Sequence, residues 1–217
     1  MKTKQITQEQ TTYLSCAETA KLVRGALKEN FPSQKFSVRS STYSMGASID
    51  VSWTDGVGHD AVNKVIKQFE GAGFDGMVDY KFYRQHWMMP DGTIQAAYSE
   101  GSQCTGGYAP EYKYEKPHPD AKKVHMGADY VFAQRDVSRE KQEECAKQIA
   151  KLNGIEFGSM DDRPDIGPRQ GDNWWNITHQ FLYNKDLTSD NIKVVATDVT
   201  CGSWDEFYEL APSEEDN

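Results

Sequence analysis

From Tyr13 to Gly76 the chain reads YLSCAETAKLVRGALKENFPSQKFSVRSSTYSMGASIDVSWTDGVGHDAVNKVIKQFEGAGFDG, and its periodicities spell helix, strand, strand, helix. Ser15 and Glu18 have the spacing of a capping box. In that motif the serine oxygen accepts from the backbone N–H three residues on, and the glutamate accepts from the serine N–H. Cys16, Ala20, Val23 and Leu27 recur at steps of four, three and four, which is one face of an amphipathic helix. Phe31-Pro32 closes it, because proline disfavours helical geometry in the residue before it. Alternation then takes over. Phe36, Val38 and Ser40 share one parity against Ser37, Arg39 and Ser41, and Ala47, Ile49, Val51 and Trp53 alternate with Ser48, Asp50 and Ser52. Period two with one apolar side marks a half-buried antiparallel pair, joined here across Tyr43 to Gly46. Asp55 is placed to cap a second helix striped by Val62, Val65, Ile66 and Phe69, which Gly71 and Gly73 stop.

Working outward, residues 1–12 read as a polar lead-in and residues 13–100 as an N-terminal α+β unit. Within that unit Met77 to Phe82 alternates as a further strand. Arg84 to Met89 and Thr93 to Tyr98 flank Pro90-Asp91-Gly92, a turn signal that predicts a hairpin. Residues 101–127 are rich in glycine, proline and tyrosine and lack periodicity, so they read as a loop between units. Residues 128–210 form a smaller unit in the order β-α-β-β: a strand over Asp129 to Gln134, then a helix capped by Ser138 and lined by Cys145, Ile149 and Leu152. Ile155 to Phe157 is read as the start of a strand. Strands over Trp174 to Tyr183 and Ile192 to Ala196 follow, the first with Trp175, Ile177, His179 and Phe181 on one parity. Residues 211–217 are an acidic tail. The class is α+β.

A length of 217 residues allows a substantial core, and five tryptophans with eleven tyrosines argue against disorder. The net charge of −9 is unevenly spread: Lys2, Lys4, Lys21, Arg24, Lys28, Lys35 and Arg39 outweigh the acids of the first 45 residues, whereas no lysine or arginine follows Asp198. That imbalance is read either as a solvated surface with an acidic end or as a basic face for an anionic partner. No signal peptide and no apolar run of about 20 residues is present, which predicts a cytoplasmic protein without a membrane span. Cys16, Cys104, Cys145 and Cys201 have no paired spacing and read as free thiols.

The motifs exclude more chemistry than they support. His118 and His125 are too far apart for a helical ligand pair and no Cys-x-x-Cys occurs, so neither metal nor cofactor is expected. Gly71-Ala72-Gly73-Phe74-Asp75-Gly76 spells a glycine fingerprint but follows a helix where a phosphate cradle needs a strand, and it is rejected. Cys104 with His86, His125 or His179 supplies the residue types of a cysteine hydrolase, set against a plain loop thiol. No catalytic residue is assigned. The polar face of the first hairpin is more suggestive. Lys35, Arg39, Ser41 and Thr42 offer donors suited to phosphate or carboxylate, with Tyr43 beside them for stacking, against a merely solvated edge. Tyr83, His86 and Trp87 form a second candidate, a ligand-facing aromatic patch, against ordinary packing on the second helix.

Several blocks in order resemble one known family: Tyr13-Leu14-Ser15-Cys16-Ala17-Glu18-Thr19-Ala20-Lys21, Phe36-Ser37-Val38-Arg39-Ser40-Ser41-Thr42-Tyr43, Ile49-Asp50-Val51-Ser52-Trp53-Thr54-Asp55-Gly56, and Gln68-Phe69-Glu70-Gly71 with Phe74-Asp75-Gly76-Met77. The stretch 13–115 is similar to the large polyvalent-protein-associated domains, twenty-ninth of that series. The resemblance implies a protein of a phage, plasmid or other conjugative element that helps incoming DNA establish itself or resist host defence. It carries no catalytic residues over. The expectation is a non-enzymatic protein that binds a host or element protein. A nucleic-acid-binding module and a cysteine hydrolase are the alternatives, and the oligomeric state is open.

Overall fold

The structure, a computed structural model, describes residues 11–77, 79–99, 111–112, 115–166 and 171–188. They fall into two compact units, one from Met1–Trp53 and Asp60–Gln134, the other from Thr54–His59 and Arg135–Asn217. Helices and mixed sheets together make the fold α+β.

The first unit opens with a short strand β1 (Thr12–Tyr13) and helix α1 (Cys16–Asn30). The capping box forms as its spacing requires: Glu18 N–H donates to Ser15 Oγ at 3.2 Å and Ser15 N–H to Glu18 Oε2 at 2.7 Å. The Ser15 hydroxyl also donates to Glu18 Oε2 at 2.6 Å, and this bond first, with the Ser15 N–H bond second, holds the Glu18 carboxyl below the usual range. Strands β2 (Ser37–Tyr43) and β3 (Gly46–Thr54) pair antiparallel in unbroken register, from Ser37 opposite Ser52 to Tyr43 opposite Gly46. Ala47, Ile49, Val51 and Trp53 of β3 are buried, as are Val23, Leu27 and Phe69. Helix α2 (His59–Ile66) runs into a 3₁₀ turn (Lys67–Phe69).

Beyond the turn lies an antiparallel ribbon, β4 (Ala72–Asp75) with β5 (Tyr80–Tyr83). The glycines expected only to stop the helix thus also build a strand. A side chain at Gly73 would overlap the Phe82 ring, which crosses the ribbon there, and close approach is the usual reason for glycine within a strand. The hairpin on Pro90-Asp91-Gly92 forms as predicted, from β6 (His86–Met88) and β7 (Ile94–Ala96), with Gly92 at φ +89°. β8 (Tyr98–Ser99) pairs with β9 (Glu111–Tyr112). β10 (Lys122–His125) joins β6 antiparallel and β1 parallel, giving the four-stranded order β1-β10-β6-β7. β11 (Tyr130–Asp136) lies on β3, so that β3 is central and β2 outermost in the order β11-β3-β2.

The second unit packs α3 (Arg139–Leu152) on α4 (Trp174–Leu182) around Val137, Cys145, Ile149, Trp174, Ile177, Phe181 and Leu182. Here the strand expected over Trp174 to Tyr183 is corrected: it is helix. Asn173 accepts from Asn176 N–H at 3.1 Å as the N-cap, and the buried Trp174, Ile177, Thr178, Phe181 and Leu182 follow the helical period. Residues 155–157 form no strand, and the strand expected over Ile192 to Ala196 lies outside the described residues. Asp55 does not cap α2. It takes φ +55°, and its Oδ1 accepts from Ser138 N–H at 2.8 Å, at the start of α3. Left-handed geometry is tolerated by aspartate better than by most side chains.

Candidate interaction surface

The five candidate residues of the first hairpin, Lys35, Arg39, Ser41, Thr42 and Tyr43, are all exposed along β2 or at its entry, but only Arg39, Ser41 and Tyr43 share a face; Thr42, opposite Ala47, lies on the other. The other three separate. Tyr83 is 57% exposed at the end of β5, whereas His86 and Trp87 lie in the interior on β6.

Tyr83 belongs to a larger feature. In an antiparallel ribbon, directly opposed residues and those two apart share a face. Phe74 opposes Lys81 and Ala72 opposes Tyr83, so Phe74, Lys81 and Tyr83 lie on one side, away from the buried Phe82. Phe74 is 53% exposed. Lys81 Nζ sits 5.5 Å from the Tyr83 ring centroid, a cation–π distance. The His125 ring stands edge-on to Tyr83 at 5.7 Å, and Tyr13, 76% exposed, is edge-on to His125 at 5.5 Å. The result is a stripe running Phe74, Lys81, Tyr83, His125, Tyr13. Met77 and Tyr80 are exposed at the turn end of the same ribbon. Sequence reading found Tyr83 alone. The stripe depends on β4, hidden behind the glycines, and on β1 meeting β10 from more than 100 residues away.

The cations beside the stripe are already engaged. Lys81 Nζ bonds Asp129 Oδ2 at 2.9 Å, a contact that raises the lysine pKa. Arg84 Nη1 bonds Glu70 Oε2 at 2.8 Å and stacks its guanidinium over Phe82 and Tyr98. Glu70, buried, also accepts from Lys67 Nζ at 2.7 Å and from Val131 N–H at 3.1 Å. These contacts tie the ribbon, the 3₁₀ turn and β11 into one rigid platform. Such a buried carboxylate is tolerated because its charge and lone pairs are matched.

Beneath the platform, His86 has no exposed surface, stands edge-on to Tyr98 at 5.5 Å, and finds no hydrogen-bond partner for either ring nitrogen among the described residues. Burial, with His125 and Arg84 nearby, pushes its pKa down to about 4. It is a neutral core residue. Cys104 lies outside the described residues. Cys16 is buried, and burial raises its thiol pKa, the opposite of what a nucleophile needs. Among the described residues no three His, Cys, Asp or Glu converge as metal ligands would, and no helix is long and apolar enough to cross a membrane.

An α+β domain with a rigid, ion-paired platform under an exposed aromatic stripe is the class of protein this geometry defines. The chain belongs to the family described as large polyvalent protein associated domain 29, whose model matches residues 14–138, more than half of the 217 residues. The match spans every element from α1 to β11, while α3 and α4 follow it. The chain matches no curated protein and no solved structure.

Proposed function

We propose that the chain is a non-enzymatic recognition protein of a phage or plasmid, and that the stripe from Phe74 to Tyr13 binds a protein of the host or of the element, in the service of counter-defence. The stripe is the observation that carries this reading. Large aromatic side chains at half exposure or more, fixed by a rigid underlying network, have the makings of binding hot spots. Pairing of Lys81 with Asp129 and of Arg84 with Glu70 argues for protein over nucleic acid, since phosphate binding needs cations with charge to spare. Membership in the polyvalent-protein-associated family supports the mobile-element setting.

The test uses the purified chain as bait in nuclease-treated host lysate, beside the double variant Phe74→Ser, Tyr83→Ser. Loss of two hot-spot aromatics should lower recovery of a specific partner by about tenfold or more. Equal recovery by both baits overturns the stripe as the binding site. Turnover of a nucleotide or nucleic acid by the pure protein, lost in a point variant, overturns the non-enzymatic reading.

A further inference from the structure

The second surface is an edge rather than a face. β2 is seven residues long, lacks proline, glycine and bulge, and is the outermost strand of its sheet among the described residues. Natural sheets usually blunt such an edge, because its unpaired N–H and C=O groups are a template for another strand. Which groups are unpaired follows from the turn. Two residues, Ser44 and Met45, separate Tyr43 from Gly46, so Tyr43 and Gly46 form the hydrogen-bonded closing pair. Alternation then assigns Ser41, Arg39 and Ser37 to bonds with β3, and turns the backbone groups of Thr42, Ser40 and Val38 outward. Two contacts agree with this phase. Ala47, opposite Thr42, gives its carbonyl away from β2, to Asp129 N–H at 2.8 Å. Val38 gives its carbonyl to Arg24 Nη2 at 2.7 Å. The N–H groups of Val38, Ser40 and Thr42 and the carbonyls of Ser40 and Thr42 thus face outward as a short open ladder.

Charge selects the occupant. In a chain of net charge −9, the stretch from Phe31 to Ile49 contains no aspartate or glutamate. Arg24 reaches the edge itself, Lys35 and Arg39 are exposed along it, and Asp50 is the one carboxylate on β3. Self-pairing of two β2 strands about Ser40 would bring the two Arg39 side chains to diagonal positions on one face, which disfavours a second copy.

We propose that the outer edge of β2 is a strand-addition site that takes an extended, acidic peptide segment. Backbone bonds at Ser40 and Thr42 hold it, and Arg39, Lys35 and Arg24 select its carboxylates. This is the recognition mode in which main-chain hydrogen bonds supply affinity and side chains supply specificity. It is independent of the aromatic stripe, so each reading stands or falls separately.

The test titrates the full chain with a fluorescent pool of octapeptides alternating Glu with Val, Thr or Tyr, and with the same pool N-methylated at alternate residues. Binding is expected to weaken about tenfold or more on N-methylation, which removes backbone donors and leaves charge intact. Ser40→Pro should do the same. It deletes an N–H that faces away from β3, so the β2–β3 ladder survives. Arg39→Ala should weaken binding and flatten its salt dependence. The proposal is overturned if no peptide binds, or if parent and N-methylated pools bind alike. It is equally overturned if a single-stranded oligothymidine displaces the peptides and loses its own affinity with Arg39→Ala, making the edge a nucleic-acid site. Self-association abolished by Ser40→Pro would replace the peptide by a second copy.

Discussion

Among the described residues, His86 sits in an environment that its chemistry disfavours. A solvent-free imidazole stays neutral, and burial first, with His125 and Arg84 after it, holds its pKa at about 4, below the ordinary value of 6.5. The unfolded chain therefore binds a proton that the folded chain refuses between those two values. Stability from this group is full above about pH 6.5 and is lost as pH falls toward 4. Between pH 7 and pH 5 the loss should be about 2 kcal/mol, seen as a lower urea midpoint. Carboxylates titrate over the same range, so the diagnostic quantity is the difference from His86→Leu, whose midpoint should fall less on acidification. Equal acid sensitivity in the two proteins would show that His86 is solvated. The sequence left this open between a ligand-facing patch and ordinary packing. His86 sits among Tyr83, Trp87 and Tyr98, and an aromatic neighbourhood is compatible with either a wet patch or a dry core. In the structure His86 is fully buried, on a strand that pairs with β10 from a distant part of the chain.

At the scale of elements, reading succeeded where one local signal was unopposed. Ser15 with Glu18, the steps of α1, and the alternation of β3 each admit one structure, and each formed. α4 shows the opposite case. Its aromatic and aliphatic residues satisfy period two through Trp175, Ile177 and Phe181, and period 3.6 through Trp174, Ile177, Thr178, Phe181 and Leu182. Asn173 breaks the tie. Its side chain satisfies Asn176 N–H at 3.1 Å, one of the four backbone donors that a helix start leaves open. Inside the helix, Thr178 Oγ1 donates to Trp174 O at 2.8 Å and contacts Gln142 Oε1 at 3.2 Å, placing a polar residue in the α3–α4 core without stranding it. Asn173→Ala should destabilise the protein by about 1 kcal/mol in urea unfolding, while Asn173→Asp should change it little. A neutral alanine variant would mean that tertiary packing alone holds the start of α4.

The whole molecule is divided by chain crossings that no local pattern announces. The second unit recruits Thr54–His59 from within the first half of the chain, and Arg135 is the reason it stays. Its buried guanidinium donates to Gly56 O at 2.9 Å, Asp55 O at 3.3 Å, Leu182 O at 2.7 Å and Tyr183 O at 2.6 Å, with burial lowering its pKa to about 10. Five rigid donors make arginine suited to gathering carbonyls this way. The two from Leu182 and Tyr183 come from the end of α4, whose last carbonyls have no partner within the helix. Leu187 N–H adds a bond to Gly56 O at 2.7 Å, and His59 N–H donates to Tyr183 O at 3.3 Å beneath a stacked His59–Tyr183 pair at 4.5 Å. A fragment ending at Ser138, where the family match stops, keeps Arg135 but loses Leu182, Tyr183 and Leu187. Local opening should follow in one unit and not in the other. In amide exchange, Val23, Leu27, Ile49 and Val51 should keep their protection to within about tenfold, and the His59 amide should exchange about a hundredfold faster than in the full chain. If His59 stayed protected in the fragment, the first unit would hold that segment by itself. If Ile49 and Val51 lost protection together with His59, the residues of the family match would lack a core of their own, and the stripe and the β2 edge would depend on everything that follows Ser138.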